Sequence, residues 1–390
     1  MSTLPKRLLS IDVFRSITMF FMIFVNDLSG VKNVPKWIDH VEANADGLGF
    51  ADTIFPAFLF IVGLSIPLAL RTKQERGDST SSILKYIGYR SFALVLMGFY
   101  HVNMENYDKQ NWFPLPAWAI TVTLSFFLIW LDYSPALNKK IKYTLIAIGY
   151  VTLIVMAFIY KGVPEEDETY TGMLPQWWGI LGIIGWSYLF NSFIYFFSKG
   201  NLKSICLWLG GFMVLDILLH TLPTDFKFPI LTDGSSAALT TGGIVVSILY
   251  SKYHNTINKR LYVPVIAGAV LMATGLIVRP YSGGISKIYS TPAWVLICMG
   301  ISIIVYTLLA YLIDIKGKQN WFKIIRPAGT STLTCYLFHY LIFFTMQWAD
   351  FDYPDYFDIG TGGIIRSFAM SFFVIILVGL FEKARLRLKL

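Results

Sequence analysis

Twelve apolar runs, most of them near the length of a membrane-crossing helix, alternate with short charged connectors along the whole chain. A helix needs about 20 apolar residues to cross about 30 Å of hydrocarbon. By that rule the runs fall at 10–30, 53–70, 83–101, 116–131, 143–160, 177–197, 204–220, 233–250, 261–279, 292–313, 327–347 and 360–381. The run at 116–131 is short and that at 233–250 is rich in Gly, Ser and Thr, so these two carry the weakest signal. Only 14% of the 390 residues are charged, against roughly a quarter in soluble domains, and mean hydropathy is +0.58. A soluble enzyme, a secreted disulfide scaffold and a disordered chain are thereby excluded. The expected fold is an all-α polytopic membrane bundle of about twelve transmembrane helices.

Charge placement orients the bundle. With the N-terminus inside, the inner connectors are 1–9, 71–82, 132–142, 198–203, 251–260, 314–326 and 382–390. Counting Lys85 with the second, they hold 22 basic and 5 acidic residues. In the opposite connectors acidic residues outnumber basic ones, as in Glu165-Glu166-Asp167-Glu168 and Asp350, Asp352, Asp355 and Asp358. Lys/Arg bias marks the cytoplasmic side, so both termini are expected in the cytoplasm, with the chain in the inner or plasma membrane. The net charge of +8 is spread over many connectors rather than gathered in a patch, so no nucleic-acid partner is expected. The Lys6-Arg7 start resembles a signal peptide, but Asp12 and Arg15 interrupt the run and no A-x-A site follows. It reads as a retained first helix. The longest connectors, 31–52 and 161–176, are too short for a soluble domain, so residues 1–390 are expected to form one transmembrane unit whose chemistry sits in the bundle and its outer loops.

Cys206, Cys298 and Cys335 all lie within apolar runs and have neither disulfide nor metal spacing. Walker, G-x-S-x-G and H-E-x-x-H motifs are absent, and no metal is expected. Polar groups inside the runs are therefore the informative ones, because ionisable residues in membrane helices are costly. Asp12 and Arg15, three apart, suit a structural ion pair near the inner face. Asn26 and Asp27 end the first run at the outer side, where a helix-end turn or a site would use them. His40, His101, His220 and His339 share that outer side, whereas His254 is cytoplasmic. Neutral imidazoles there could act as bases, or simply pack at the interface. Asp216 lies one turn before His220 and could orient it, or form a proton relay with it. Asp52 suits the N-cap of the second helix and Pro56 its first turn. Trp112 and Trp177-Trp178 suit an interfacial belt; Gly210-Gly211 and Gly242-Gly243 suit close helix packing.

Several of these residues form longer strings. Ser10-Ile-Asp12-Val-Phe-Arg15, Met22-Ile-Phe-Val-Asn26, His40, Asp46-Gly47 and Ala51-Asp52-Thr-Ile-Phe55-Pro56-Ala-Phe58-Leu-Phe-Ile-Val-Gly63 resemble the heparan-alpha-glucosaminide N-acetyltransferase family of multipass acyltransferases. Weaker similarity continues through Ile285-Ser-Lys287-Ile-Tyr-Ser-Thr-Pro292-Ala-Trp294 to Gly329, Leu333, Tyr336 and His339. Residues 175–186 look like a divergent bacterial branch of unknown function. The resemblance implies an acetyl-CoA co-substrate, no permanently bound cofactor, and an amino-sugar or glycan acceptor. It makes His40 the family's essential histidine, with Asn26 and Asp52 completing the catalytic set. His40 would be general base or acyl carrier, Asp52 its orienting partner, and Asn26 an oxyanion donor. Asp27, Arg279, Lys287, His339, Asp216 and His220 form a wider set expected to bind substrate or donor. Two departures stand out. The family pattern H-x-x-W-N-G becomes a longer, tryptophan-free stretch from His40 to Gly47, which by rigid alignment puts Glu42 in the histidine column. Ser16 also replaces a glycine.

The leading expectation is a transmembrane acyltransferase moving an acyl group from acyl-CoA to an extracytoplasmic sugar. Its partners would be membrane lipids, acyl-CoA and the acceptor, and a homodimer is compatible with it. The alternative is a multipass transporter or flippase for a sugar, lipid or small solute, with Asp216 and His220 relaying protons.

Overall fold

The computed structural model describes residues 8–163, 171–222, 228 and 230–390. Lys6, Arg7 and the acidic run at 165–168 lie outside the described residues. Helices follow the apolar runs closely. The first half of the chain forms α1 (Leu9–Leu28), α2 (Ile54–Glu75), α3 (Thr80–Val102), α4 (Leu115–Trp130), α5 (Lys139–Ile159) and α6 (Gly179–Phe197). The second forms α7 (Leu202–Thr221), α8 (Ser235–Lys252), α9 (Ile257–Val278), α10 (Pro292–Ala310), the short α11 (Arg326–Thr330), α12 (Thr332–Trp348) and α13 (Gly360–Lys383). The only β pairing among the described residues consists of isolated bridges. Both weakly signalled runs are helices.

The chain is a polytopic helical membrane protein. Eight of its helical segments are long and apolar enough to cross a membrane. The other four long helices fall short of that measure for local reasons: Lys85 and Arg90 sit in α3, α4 and α12 are 16 and 17 residues long, and α8 is rich in Ser, Thr and Gly. Helix starts after the connectors at 76–79, 132–138 and 198–201 are capped by Ser79, Asn138 and Asn201, whose side chains accept from N–H groups of the first turn. At the same end of the bundle, Asp314 closes a π-turn at the foot of α10. It accepts from the Ser10 amide (3.2 Å), the Ser10 hydroxyl (2.6 Å) and the Tyr250 hydroxyl (2.9 Å).

The core is built on α1, α2, α8 and α10. Within the most apolar window of the segment containing α10, 67% of residues are buried, against 17% for the corresponding windows of α5, α7 and α9. The outer three present Phe158, Leu207 and Ile277 outward, as lipid-facing helices do. Small residues allow the closest contact: a Cβ on Gly63 would meet the Thr240 carbonyl, and one on Gly243 would meet the Phe60 carbonyl. Gly242 packs on the Met299 sulfur, whereas Gly210 and Gly211 face open space, so that pair makes no close packing. The expected run at 327–347 is broken at Ser331, which leaves helical geometry between α11 and α12. The break accompanies the packing of α11 on α1, where a Cβ at Gly329 would strike the Asp12 carbonyl and the Ser16 hydroxyl.

Candidate active site

The loop at 29–49 leaves α1 and ends in a 3-10 turn, Phe50–Thr53, ahead of α2. Asp52 sits in that turn and is 2% exposed. Thr53, not Asp52, is the N-cap of α2. Asp52 instead uses Oδ2 to accept from the amides of Val41 (3.1 Å) and Gly49 (3.1 Å), which folds the loop around its carboxylate. Oδ1 lies 2.7 Å from His40 Nδ1. A carboxylate can only accept, so Nδ1 carries the hydrogen and Nε2 is left as the basic nitrogen. Gly49 is required for this: a Cβ there would collide with the Asp39 carbonyl. The His40 side chain keeps 34% of its surface exposed, so its ring is reachable.

A second loop, between α9 and α10, completes the surroundings of His40. Lys287 Nζ lies 3.3 Å from Nδ1 and 3.5 Å from Nε2. Burial holds the Lys287 ammonium below its ordinary pKa, and the charge of Asp52 opposes that shift. The indole of Trp294, at the start of α10, donates to the Asp52 carbonyl at 3.2 Å. The two loops are tied along their length. Arg279 Nε meets both oxygens of Asp46, at 3.0 and 2.8 Å, and the Ile285 amide donates to Asp46 Oδ1 at 2.7 Å. Gly47 donates to the Ile285 carbonyl, and Tyr289 donates its hydroxyl hydrogen to Asn44 Oδ1 at 3.0 Å. Ile285 chiefly, with Arg279 behind it, holds the Asp46 carboxyl below the usual range.

His40, Asp52 and Lys287 are thus brought together as an imidazole, a carboxylate hydrogen-bonded to it and a cation, an arrangement of the kind that general-base or nucleophilic chemistry uses. Arg279, of the wider set, has its Nε against Asp46 and there clamps the two loops together. Asn26 does not join the set. It lines a separate cavity of about 660 Å³ with Asp27, His339 and Arg366, and among the described residues no hydrogen bond links it to His40. Asp27 accepts from Arg366 Nε (3.2 Å) and the Ser367 hydroxyl (2.7 Å), which ties α1 to α13. Asp216 and His220 stand apart on α7 and reach the site only through the Tyr289 backbone. His101 packs against the rings of Tyr336 and Tyr340. Trp294 and Gly49 were not singled out as site residues by sequence, although Trp294 lies in the weaker similar string.

Near the chain termini a cavity of about 550 Å³ enters the bundle. Its lining combines the basic side chains of Arg15, Lys73, Arg76, Arg90 and Lys389 with the apolar or aromatic ones of Met19, Met22 and Tyr336. The expected ion pair is present, with Arg15 Nη1 3.2 Å from Asp12 Oδ1. Arg15 also donates to the Ser65 hydroxyl at 2.7 Å, and both members of the pair line this cavity.

Residues 7–98 match the family model described as heparan-alpha-glucosaminide N-acetyltransferase, catalytic. The human heparan-alpha-glucosaminide N-acetyltransferase is 41% identical over 103 residues, covering 26% of this chain and 15% of its own. The mouse protein of the same name is 37% identical over 185 residues, covering 45% of this chain and 24% of its own. The chain spans less than a quarter of these relatives' own length, and the family-model match over residues 7–98 includes Asn26, His40 and Asp52. Through residues 7–98 the chain is similar to the catalytic region of the heparan-alpha-glucosaminide N-acetyltransferase family.

Proposed function

We propose that the chain is a transmembrane acetyltransferase, a single unit over 1–390, that transfers the acetyl group of acetyl-CoA to an amino sugar or glycan. The observation that carries this reading is the 2.7 Å contact between His40 Nδ1 and Asp52 Oδ1. It leaves Nε2, which Lys287 Nζ approaches at 3.5 Å, as the basic nitrogen that takes the proton of an attacking amine, or takes the acetyl group first. In the direct route the amine nitrogen bonds to the thioester carbonyl carbon, Nε2 accepts the amine proton, and the C–S bond breaks to release CoA, whose sulfur receives the proton. In the two-step route Nε2 bonds to the thioester carbonyl carbon and the C–S bond breaks to release the CoA thiolate; the acceptor amine then bonds to that carbon, the C–Nε2 bond breaks, and the freed Nε2 receives the amine proton. Lys287 beside the ring supplies positive charge where the carbonyl oxygen becomes negative.

The cavity near the termini suits the donor. Its basic lining residues match the phosphates of CoA, and its apolar ones match the pantetheine arm and acetyl group. With the termini cytoplasmic, as the connector charges favour, CoA enters from the cytoplasm and the His40 loop faces out. The lengthened stretch from His40 to Gly47 lies beside that ring, so the acceptor differs from one recognised through H-x-x-W-N-G.

The test is acetyl-CoA turnover by the full chain in nanodiscs with glucosamine-terminated acceptors. His40→Ala should lower turnover by a factor on the order of 10² to 10⁴ with an unchanged melting temperature. A fully active His40→Ala protein would overturn the reading.

A further inference from the structure

Where α7 meets the start of α8, two buried carboxylates and an imidazole face one another. Asp216 and Asp233 are 0% and 4% exposed, and one ligand atom from each of Asp216, His220 and Asp233 falls within 4.8 Å of the others. The geometry points to a divalent transition-metal site of the Zn²⁺ class formed by these three side chains.

Three observations converge. His220 Nε2 lies 2.7 Å from the Tyr289 carbonyl, so Nε2 carries the hydrogen and donates. Metal-bound histidines are commonly oriented by such a bond to a backbone carbonyl. The other nitrogen, Nδ1, lies 2.8 Å from the Asp216 backbone carbonyl and 3.2 Å from its Oδ1; both oxygens only accept, so Nδ1 donates a hydrogen there that a metal ion would displace. Secondly, Asp216 is fully buried, yet its Oδ2 receives no hydrogen bond and its Oδ1 meets only His220 Nδ1. Buried carboxylates without partners are costly. Thirdly, Asp233 is already oriented, since its Oδ1 accepts from the Ser235 amide (3.0 Å) and hydroxyl (2.5 Å).

Charge balance favours a divalent ion over a proton. An imidazolium would leave two buried carboxylates sharing one positive charge, and among the described residues no Lys or Arg side chain bonds to either. A divalent cation with neutral His220 gives a neutral cluster. Imidazole with carboxylates suits zinc and its neighbours, and the partly exposed edge of His220 provides a way in. Spacing alone hid the set, because Asp233 lies beyond a connector from the Asp216/His220 turn. Since Tyr289 also bonds Asn44, the ion would brace the loop that carries Lys287.

The experiment uses tag-free full-length protein in detergent, loaded with ZnCl₂, freed of excess metal, and measured by mass spectrometry of bound zinc. About one zinc per chain is expected, with at least roughly a tenfold loss of affinity in Asp216→Asn and His220→Ala and none in the control His254→Ala. Wild-type protein should also melt higher with ZnCl₂ than with MgCl₂, and EDTA should reverse the shift. That second readout needs no variant to fold. Wild-type protein that retains no zinc and shows no zinc-dependent shift overturns the proposal, as does full binding by well-folded Asp216→Asn.

Discussion

Asp52 divides its carboxylate between two tasks: Oδ1 faces the His40 ring, while Oδ2 gathers the amides of Val41 and Gly49. Asn at this position has only one acceptor oxygen. Its NH₂ group must face either the protonated Nδ1 or the two loop amides, so one task fails. Asp52→Asn should reduce kcat by a factor on the order of 10³ to 10⁴, as when the orienting carboxylate of a catalytic histidine is neutralised. Its KM for acetyl-CoA should be near that of the wild type, and steady-state kinetics would separate the two. A drop in KM affinity with intact kcat would point away from the orienting role.

Gly49 and Gly47 lie two residues apart in the same loop but differ in what surrounds them. A Cβ at Gly47 meets Val41 at an ordinary 3.5 Å, whereas one at Gly49 runs into the backbone of Asp39. Gly49→Ala should therefore destabilise by about 1–3 kcal/mol, the usual range for overpacking, and Gly47→Ala by far less. Melting temperatures of the two variants, compared side by side, test the placement of this turn.

Lys287 gives a pH signature with a defined sign. Burial lowers its folded pKa below the free value of 10.5, so the folded protein binds fewer protons than the unfolded chain between those two values. Stability from this group rises with pH across that window, and the penalty on the charged form is complete below the folded pKa. Lys287→Met should flatten this alkaline rise in chemical-denaturation curves. Asp46 behaves oppositely: with its carboxyl lowered by Ile285 and Arg279, its contribution is present above the free carboxyl value and is lost as pH falls through the folded one. Asp46→Asn should remove that acid-side loss.

Lys73 and Arg76 both line the basic cavity, and Lys73 is paired with Asp78 at 3.4 Å, which leaves Arg76 the better test of a phosphate contact. Arg76→Ala should raise KM for acetyl-CoA about threefold to fivefold, in keeping with the modest worth of exposed ion pairs. The rise should shrink at high salt and vanish with an acetyl thioester that lacks phosphates. An equal effect on both donors would place the nucleotide elsewhere.

Much of this molecule can be read along the chain. Apolar run length located all twelve long helices, including the Gly/Ser/Thr-rich α8, because every backbone polar group in a bilayer must be satisfied within its own segment. The pairing of His40 with Asp52 was legible because both belong to one short motif. What could not be read is whatever depends on distant elements meeting. Arg279 reads as a free anion-binding residue until Asp46, from another loop, is seen beside it. Asn26 and His40 share a motif, yet the loop between them turns them to different surroundings. The break at Ser331 follows from contact with α1, which periodicity does not report.

The pairing of Lys287 with His40 joins positions 247 apart in the chain, the former outside the residues 7–98 that the family model matches. The cation nearest His40 therefore comes from a different part of the sequence than the matched one. Editing residues 279–291 would change the charge around His40 while every residue between 7 and 98 stays intact. Relatives that share the motif need not share a substrate, and the α9–α10 loop is where their divergence would be sorted.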